Sequence, residues 1–256
     1  MPTVTLLAKG YGATNRRIIE GILRSKLEGL KVRIRIVNAT ERGWIQLCVE
    51  GEDESVALRF LQKEIGICPE NLQNVEAGSI FTGRLVSLEK STEELFVDVG
   101  VFSPNVVDAG IPLSHLQALL MDGRKEKLNS IVRLFNFCEN LPMIIEISGL
   151  DENSQRLKAT IAEEQLSRYD FWMRSLLDRL VILGVSLTQV RHAVKALGLS
   201  RDIVKTEQLG LLEYAAECKL GTDAAGLISR IGKALPSAKF SLFCPRKIQQ
   251  VYARAR

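Results

Sequence analysis

The stretch Gly78-Ser79-Ile80-Phe81-Thr82-Gly83-Arg84-Leu85-Val86, followed by Leu95-Phe96-Val97-Asp98-Val99-Gly100, decides how this chain is read. Residues 79–88 and 94–99 alternate or run apolar and are bounded by glycine and turn residues, the pattern of short strands. A Gly100–Asp108 loop and a short strand at 110–113 come next. A helix over about 126–137 and strands at 142–149 and 156–161 complete the segment. Five short strands with one helix before the fourth do not make a sandwich of regular hairpins.

Working outward, the flanks have a different texture. Thr3–Lys9 reads as a strand closed by Gly10-Tyr11-Gly12. Thr14 or Asn15 caps a helix to about Gly29, with Ile18, Ile19, Ile22, Leu23 and Leu27 as its apolar stripe. Lys31-Val32-Arg33-Ile34-Arg35-Ile36-Val37 alternates strictly, so Val32, Ile34 and Ile36 face a core. Residues 44–50 supply its hairpin partner. Glu52-Asp53-Glu54-Ser55 opens a helix to Ile65, with acids where the helix dipole favours them. This β-α-β-β-α order over residues 1–70 predicts a ferredoxin-like α+β domain. Pro69-Glu70-Asn71 and the acidic run to Glu76 mark a linker.

On the other side, residues 164–256 read as a helical hairpin plus a small α/β domain. Leu166, Phe171, Met173, Leu176, Leu177, Leu180 and Val181 suit one helix ending near Gly184. Ser186 caps a second, stopped by Gly198. Strands at about 202–205 and 210–220, a helix at 223–235 capped at Thr222, and a strand at 238–244 follow. Leu176–Leu199 also has the outline of a helix-turn-helix. The sequence shows no repeat and no low-complexity tract. The whole is an α+β multidomain chain.

Composition narrows the function. At 256 residues, 46% hydrophobic and 25% charged, the chain has enough apolar material for two or three cores and is no disordered polymer. No run approaches the ~18 apolar residues of a membrane span, and the N-terminus lacks a signal peptide's layout, so a cytoplasmic protein is expected. Cys48, Cys68, Cys138, Cys218 and Cys244 are scattered without a C-x-x-C pair, which argues against a disulfide framework or zinc ribbon. The only histidines, His115 and His192, are far apart. Asp98, Asp108, Asp122 and Asp151 are the acids available for a magnesium site, but Asp is ordinary in turns. With no Walker loop, G-x-S-x-G or H-E-x-x-H, the reading is a non-catalytic protein without metal or cofactor.

Charge is partitioned. Residues 1–50 carry nine Lys/Arg against four Asp/Glu, and 165–256 carry fifteen against seven, net +5 and +8. Residues 51–76 and 77–164 carry two against six and eight against thirteen, net −4 and −5. Basic ends around an acidic middle suit a polyanion or an acidic partner protein touching the ends. Lys31, Arg33 and Arg35 project from one sheet face, a row that serves phosphates or protects an edge. Arg16 and Arg17 stand at a helix start against the dipole preference. Gly221-Thr222-Asp223 reads as a capped helix rather than an anion site.

Residues 77–163 resemble an S1-type RNA-binding domain, a five-stranded OB barrel. The resemblance is carried by the opening Gly78, the Gly83-Arg84-Leu85-Val86 and Leu95–Gly100 runs, Gly110-Ile111-Pro112-Leu113-Ser114-His115-Leu116, and Arg156-Leu157-Lys158-Ala159-Thr160. Gly83 permits the tight coiling of a small barrel. The resemblance implies RNA bases stacking on Phe96, with Arg84, Arg156 and Lys158 at the backbone. It departs from the S1 pattern at Pro112, where such domains often carry a stacking histidine, and in its net negative charge. The whole chain also resembles a conserved archaeal family of unknown function, through residues 110–115, Leu141-Pro142 and Cys218–Ala224. A fainter likeness is to the alpha subunit of archaeal initiation factor two. The expectation is an RNA-binding or RNA-machinery-associated factor in translation, RNA processing or transcription. Its alternative is a protein-interaction module whose barrel docks to a ribosomal, polymerase or nuclease partner.

Overall fold

The computed structural model describes residues 3–89, 91–151 and 156–254. The N-terminal part consists of β1 (Thr3–Lys9), α1 (Ala13–Lys26), β2 (Val32–Ala39), β3 (Trp44–Gly51) and α2 (Glu54–Glu64). Its strands form an antiparallel sheet in the order β1-β3-β2. The predicted alternation of β2 is present: Ile34 and Ile36 are buried while Arg33 and Arg35 are exposed. Ile34, Ile36, Leu47 and Val49 pack beneath Ile19 and Leu23 of α1 and Leu61 of α2. The chain then returns along the free side of β1. Cys68 N donates to Thr5 O at 2.8 Å and Leu7 N to Gly66 O at 3.0 Å, so residues 66–68 occupy a fourth strand position. Helix α1 begins after Gly12, which has no side chain to cap it, so the cap expected at Thr14 or Asn15 is corrected; Asn15, within the first turn, donates to Gly184 O at 3.0 Å.

After the two-residue β4 (Glu70–Asn71), the centre is a closed five-stranded barrel. It comprises β5 (Ile80–Val86), β6 (Glu94–Ser103), β7 (Val107–Pro112), β8 (Pro142–Asp151) and β9 (Arg156–Ile161), with α3 (Leu113–Leu120) and α4 (Leu128–Phe135) inserted before β8. Antiparallel pairs join β5 to β6 and β8, β6 to β7, and β8 to β9. A parallel β7–β9 pair closes the ring. Leu95, Val97, Ile111, Met143, Ile145 and Leu157 fill the interior. A Cβ on Gly83 would lie 2.9 Å from the Asp98 carbonyl oxygen, so β5 and β6 approach this closely only over glycine. Helix α3 replaces the end of the strand expected at 110–113.

The C-terminal part contains α5 (Glu163–Ser175), β10 (Arg179–Leu183), α6 (Leu187–Ala196), β11 (Ile203–Gln208), β12 (Glu213–Cys218), α7 (Ala224–Ala234), β13 (Lys239–Phe243) and α8 (Pro245–Arg254). The single helix expected to run to Gly184 is therefore corrected. Leu176, at φ 56°, ends α5, and Arg179–Leu183 is an inner strand between β12 and β13. All five of its residues are buried. A run buried on both faces has no period-two signal, so its sequence resembles a helix as much as a strand. The helix-turn-helix outline falls with it. Ser186 does cap α6, in a capping box with Gln189. The cap of α7 is Asp223, accepting from Gly226 N at 3.0 Å, rather than Thr222.

A topological repeat emerges that the residues alone do not display. The run β10-α6-β11-β12-α7-β13 follows the order β1-α1-β2-β3-α2-(66–68), and β10 sits between β12 and β13 as β1 sits between β3 and 66–68. The C-terminal sheet shares its core with the barrel. Phe135 and Phe137 meet Tyr169, Trp172 and Phe243, with the Tyr169 and Phe243 rings stacked at 5.8 Å.

Candidate nucleic-acid interface

Along β6 the pleat turns Leu95, Val97 and Val99 inward and Phe96 and Asp98 outward. The two outward positions have different surroundings. The N-terminal sheet packs over Asp98, whose carboxylate accepts from Lys9 Nζ and Trp44 Nε1, both at 3.0 Å, and from Gly100 N. Arg42 lies 3.7 Å from Asp98 and 2.8 Å from Asp108. Burial lowers the Lys9 pKa, partly offset by Asp98, and raises that of Asp108, partly offset by Arg42. Two of the acids considered for magnesium are thus met by the protein's own cations. Among the described residues no cluster of three His, Cys, Asp or Glu side chains is placed to hold a metal.

Arg84 belongs to this interior as well, and its assignment to an RNA backbone is corrected. Its side chain is 1% exposed. Nη2 lies 3.2 Å from Glu213 Oε2, whose other oxygen accepts from Tyr11 OH at 2.7 Å. The guanidinium also donates to the Thr82 and Gly83 carbonyls and lies over Trp44, 5.8 Å from the ring centre. Glu213 comes from the C-terminal sheet, Tyr11 and Trp44 from the N-terminal domain, so all three domains meet at this pair.

Phe96 remains uncovered enough to be half-buried. Its register neighbour on β7 is Gly110, whose neighbour on β9 is Lys158, and Gly149 of β8 follows. An aromatic ring, a glycine, an ammonium and a second glycine therefore form one row across four strands. A Cβ on Gly149 would meet nothing within 4 Å. Lys158 and Arg156, two residues apart on β9, point outward and are exposed. The Glu94 carboxylate leans over Gly110, where an added Cβ would come within 3.2 Å of Oε2, and reaches Arg156 Nη1 at 3.9 Å. Of the barrel residues singled out from sequence, Phe96, Arg156 and Lys158 thus share one face. Glu94 and Gly110 were missed there, although Gly110 stands out as the outward residue between inward Ala109 and Ile111.

The basic residues of the N-terminal domain are elsewhere. Arg33 and Arg35 stand exposed on β2. Lys31 precedes the strand and pairs with Glu52 at 2.7 Å. Arg16 donates to the Ile36 and Val37 carbonyls, while Arg17 is exposed.

A closed five-stranded barrel, held between two antiparallel sheets that carry helices, defines a three-part α+β protein. The chain belongs to the DUF2110 family: the DUF2110 N-terminal domain matches residues 3–71, the central domain 75–173 and the C-terminal domain 177–243. The central match includes α5, whose Gln165 accepts from Ile144 N of the barrel at 3.2 Å. No curated protein matches the chain. Among solved structures, a crystal structure of a Thermus thermophilus protein is similar at 15% identity and a TM-score of 0.19, over 97% of this chain and 42% of that one. The chain thus spans less than half the length of that protein. Among the described residues no helix is long and apolar enough to cross a membrane.

Proposed function

We propose that this protein is a non-catalytic RNA-binding factor, acting with the translation, RNA-processing or transcription machinery, and that the outer row of the barrel is its reader. One observation carries the reading: strand register sets Phe96, Gly110 and Lys158 side by side, with Arg156 next to them. A base that displaces the Glu94 carboxylate from over Gly110 meets the Phe96 ring, and the phosphates on either side fall to Lys158 and Arg156. The same reading takes the barrel as an OB-fold of the S1 kind, supported by its strand order and its parallel β7–β9 pair. It takes the terminal domains as ferredoxin-like, supported by their shared β-α-β-β-α-β order. A cytoplasmic location goes with the five free thiols.

The test is binding of a labelled single-stranded RNA of about 20 nucleotides at two salt concentrations. Wild type binds and loses affinity with salt. Removing the stacking ring in Phe96→Ala costs about 1–3 kcal/mol, and Lys158→Ala flattens the salt slope by about one unit. Binding that ignores Phe96 moves the site to the basic ends. No binding at low salt refutes the reading. Glu94 supports the alternative, since an acid over the row suits docking to a ribosomal, polymerase or nuclease protein better than to a polyanion. That alternative predicts no RNA binding and a partner recovered by pull-down that is lost in Phe96→Ala.

A further inference from the structure

The outer strand of the N-terminal sheet has a partner on one side only, since β2 pairs with β3 and nothing else among the described residues. Its two ends are closed off. Arg16 covers the Ile36 and Val37 carbonyls, and the Val32 N–H turns back to Leu30 O at 2.9 Å. Between these closures lie Arg33, Ile34 and Arg35, beside a hollow of about 850 Å³. Leu27, Leu30, Val32 and Ile34 give the hollow an apolar floor, with Arg33 and Arg35 along its open side. Both arginines are exposed and form no ion pair among the described residues. Nearby cations are already paired: Arg24 with Glu20 at 2.6 Å, Lys31 with Glu52 at 2.7 Å. Of the acids lining the hollow, Glu20 is held by Arg24, while Glu50, which stands opposite Arg33 and accepts from Cys48 Sγ, and Glu28 keep their carboxylates beside the two arginines.

We infer that this edge takes an extended acidic segment of a partner protein, added to the sheet as a further strand. A free strand edge offers a main-chain ladder, and side chains of alternate residues select the partner. Arg33 and Arg35 are about 7 Å apart along the strand, the spacing of acids at every second position of an extended peptide. A second copy of this chain is disfavoured. Two β2 edges pairing antiparallel about Ile34 set Arg33 of one against Arg35 of the other, and like charges directly opposite are destabilising. The same repulsion protects the edge from self-association. This surface is separate from the barrel row, and its test stands apart from the RNA reading.

The experiment uses the full chain and a short fluorescein-labelled peptide of alternating Val and Glu, read by anisotropy. Binding is expected below about 1 mM. It weakens at least about tenfold for the Val/Lys counterpart and in the Arg33→Glu/Arg35→Glu variant. That variant gains the Val/Lys peptide, which also shows that it is folded. Two further peptides carry N-methyl groups on one or the other set of alternate residues. Only the set facing β2 abolishes binding, because it removes ladder donors while the charge is unchanged. Absence of binding, or equal binding of both N-methylated peptides, overturns the inference. So does an RNA whose binding is lost in Arg33→Glu/Arg35→Glu but kept in Phe96→Ala, since that outcome gives the stripe to nucleic acid.

Discussion

Arg84→Met tests whether the three domains are held together by a buried ion pair. Arg84 and Glu213 are each 1% exposed and 3.2 Å apart, so solvent screening is minimal. Removing the guanidinium leaves a buried carboxylate whose remaining donors among the described residues are Tyr11 OH and Leu212 N. Breaking such a pair from one side costs about 3–5 kcal/mol. Glu213→Gln in the same chain removes the stranded charge yet keeps an acceptor for Tyr11, so the double variant regains most of that loss. The cycle should give a coupling of about 2–3 kcal/mol. Urea unfolding followed by tryptophan fluorescence is a suitable readout, because Trp44 lies against both Arg84 and Lys9. A single variant losing under about 1 kcal/mol, or a double variant no more stable than the single, refutes the argument. RNA affinity measured on the double variant should equal that of wild type, since Arg84 meets no solvent and the stranded charge that would loosen the junction is gone.

Two further outcomes are expected. Glu94→Gln removes a negative charge from over Gly110 and should raise RNA affinity by about two- to fivefold, or about 0.5–1 kcal/mol at a partly exposed site, measured in the same salt titration; unchanged affinity would separate Glu94 from the reader. Burial pushes the Cys138 and Cys218 thiols up to about 11. The folded chain therefore holds protons that the unfolded chain releases above about 9, so stability is present below about pH 9 and falls through about pH 11 by about 1.4 kcal/mol per unit for each thiol. Denaturant titrations at increasing pH should show that slope, and Cys138→Ala/Cys218→Ala should flatten it by two thiols' worth.

The sequence is most legible where one face is buried and the other wet. Strand β2 alternates because Ile34 and Ile36 meet α1 while Arg33 and Arg35 meet water, and the structure has the same alternation. The barrel was legible because its strands are short and Gly83 marks a close crossing. Strand β10 was opaque because helices cover one of its faces and α5 with the barrel core the other, so Arg179–Leu183 is apolar in a run apart from an arginine paired with Glu217 at 2.7 Å. Arg84 misled for a related reason. It occupies an outward pleat position, and outward on a barrel is normally wet, but here another domain covers it. No local pattern encodes what docks from more than a hundred residues away.

The same logic separates Phe96 from Asp98. Both are outward on β6, two residues apart, and period-two reasoning gives them one environment. Lys9, Trp44 and Arg42 close over Asp98, which turns that end of the face into a domain junction. The terminal domains thus cover the outer side of β5 and the middle of β6 but not the row from Phe96 across Gly110 to Lys158, where the Glu94 carboxylate lies over Gly110. Such a row is preorganised: its strand register is fixed by the barrel, and the ring of Phe96 is half-buried before any ligand arrives. Loosening the junction should therefore weaken binding at the row without touching it. Lys9→Met, which takes the closest cation from Asp98 and leaves it Arg42 at 3.7 Å, should reduce RNA affinity while leaving the salt slope unchanged, because no phosphate contact is lost. A change in slope with that variant would mean that Lys9 meets the RNA directly, and would overturn the division of the face drawn from its burial.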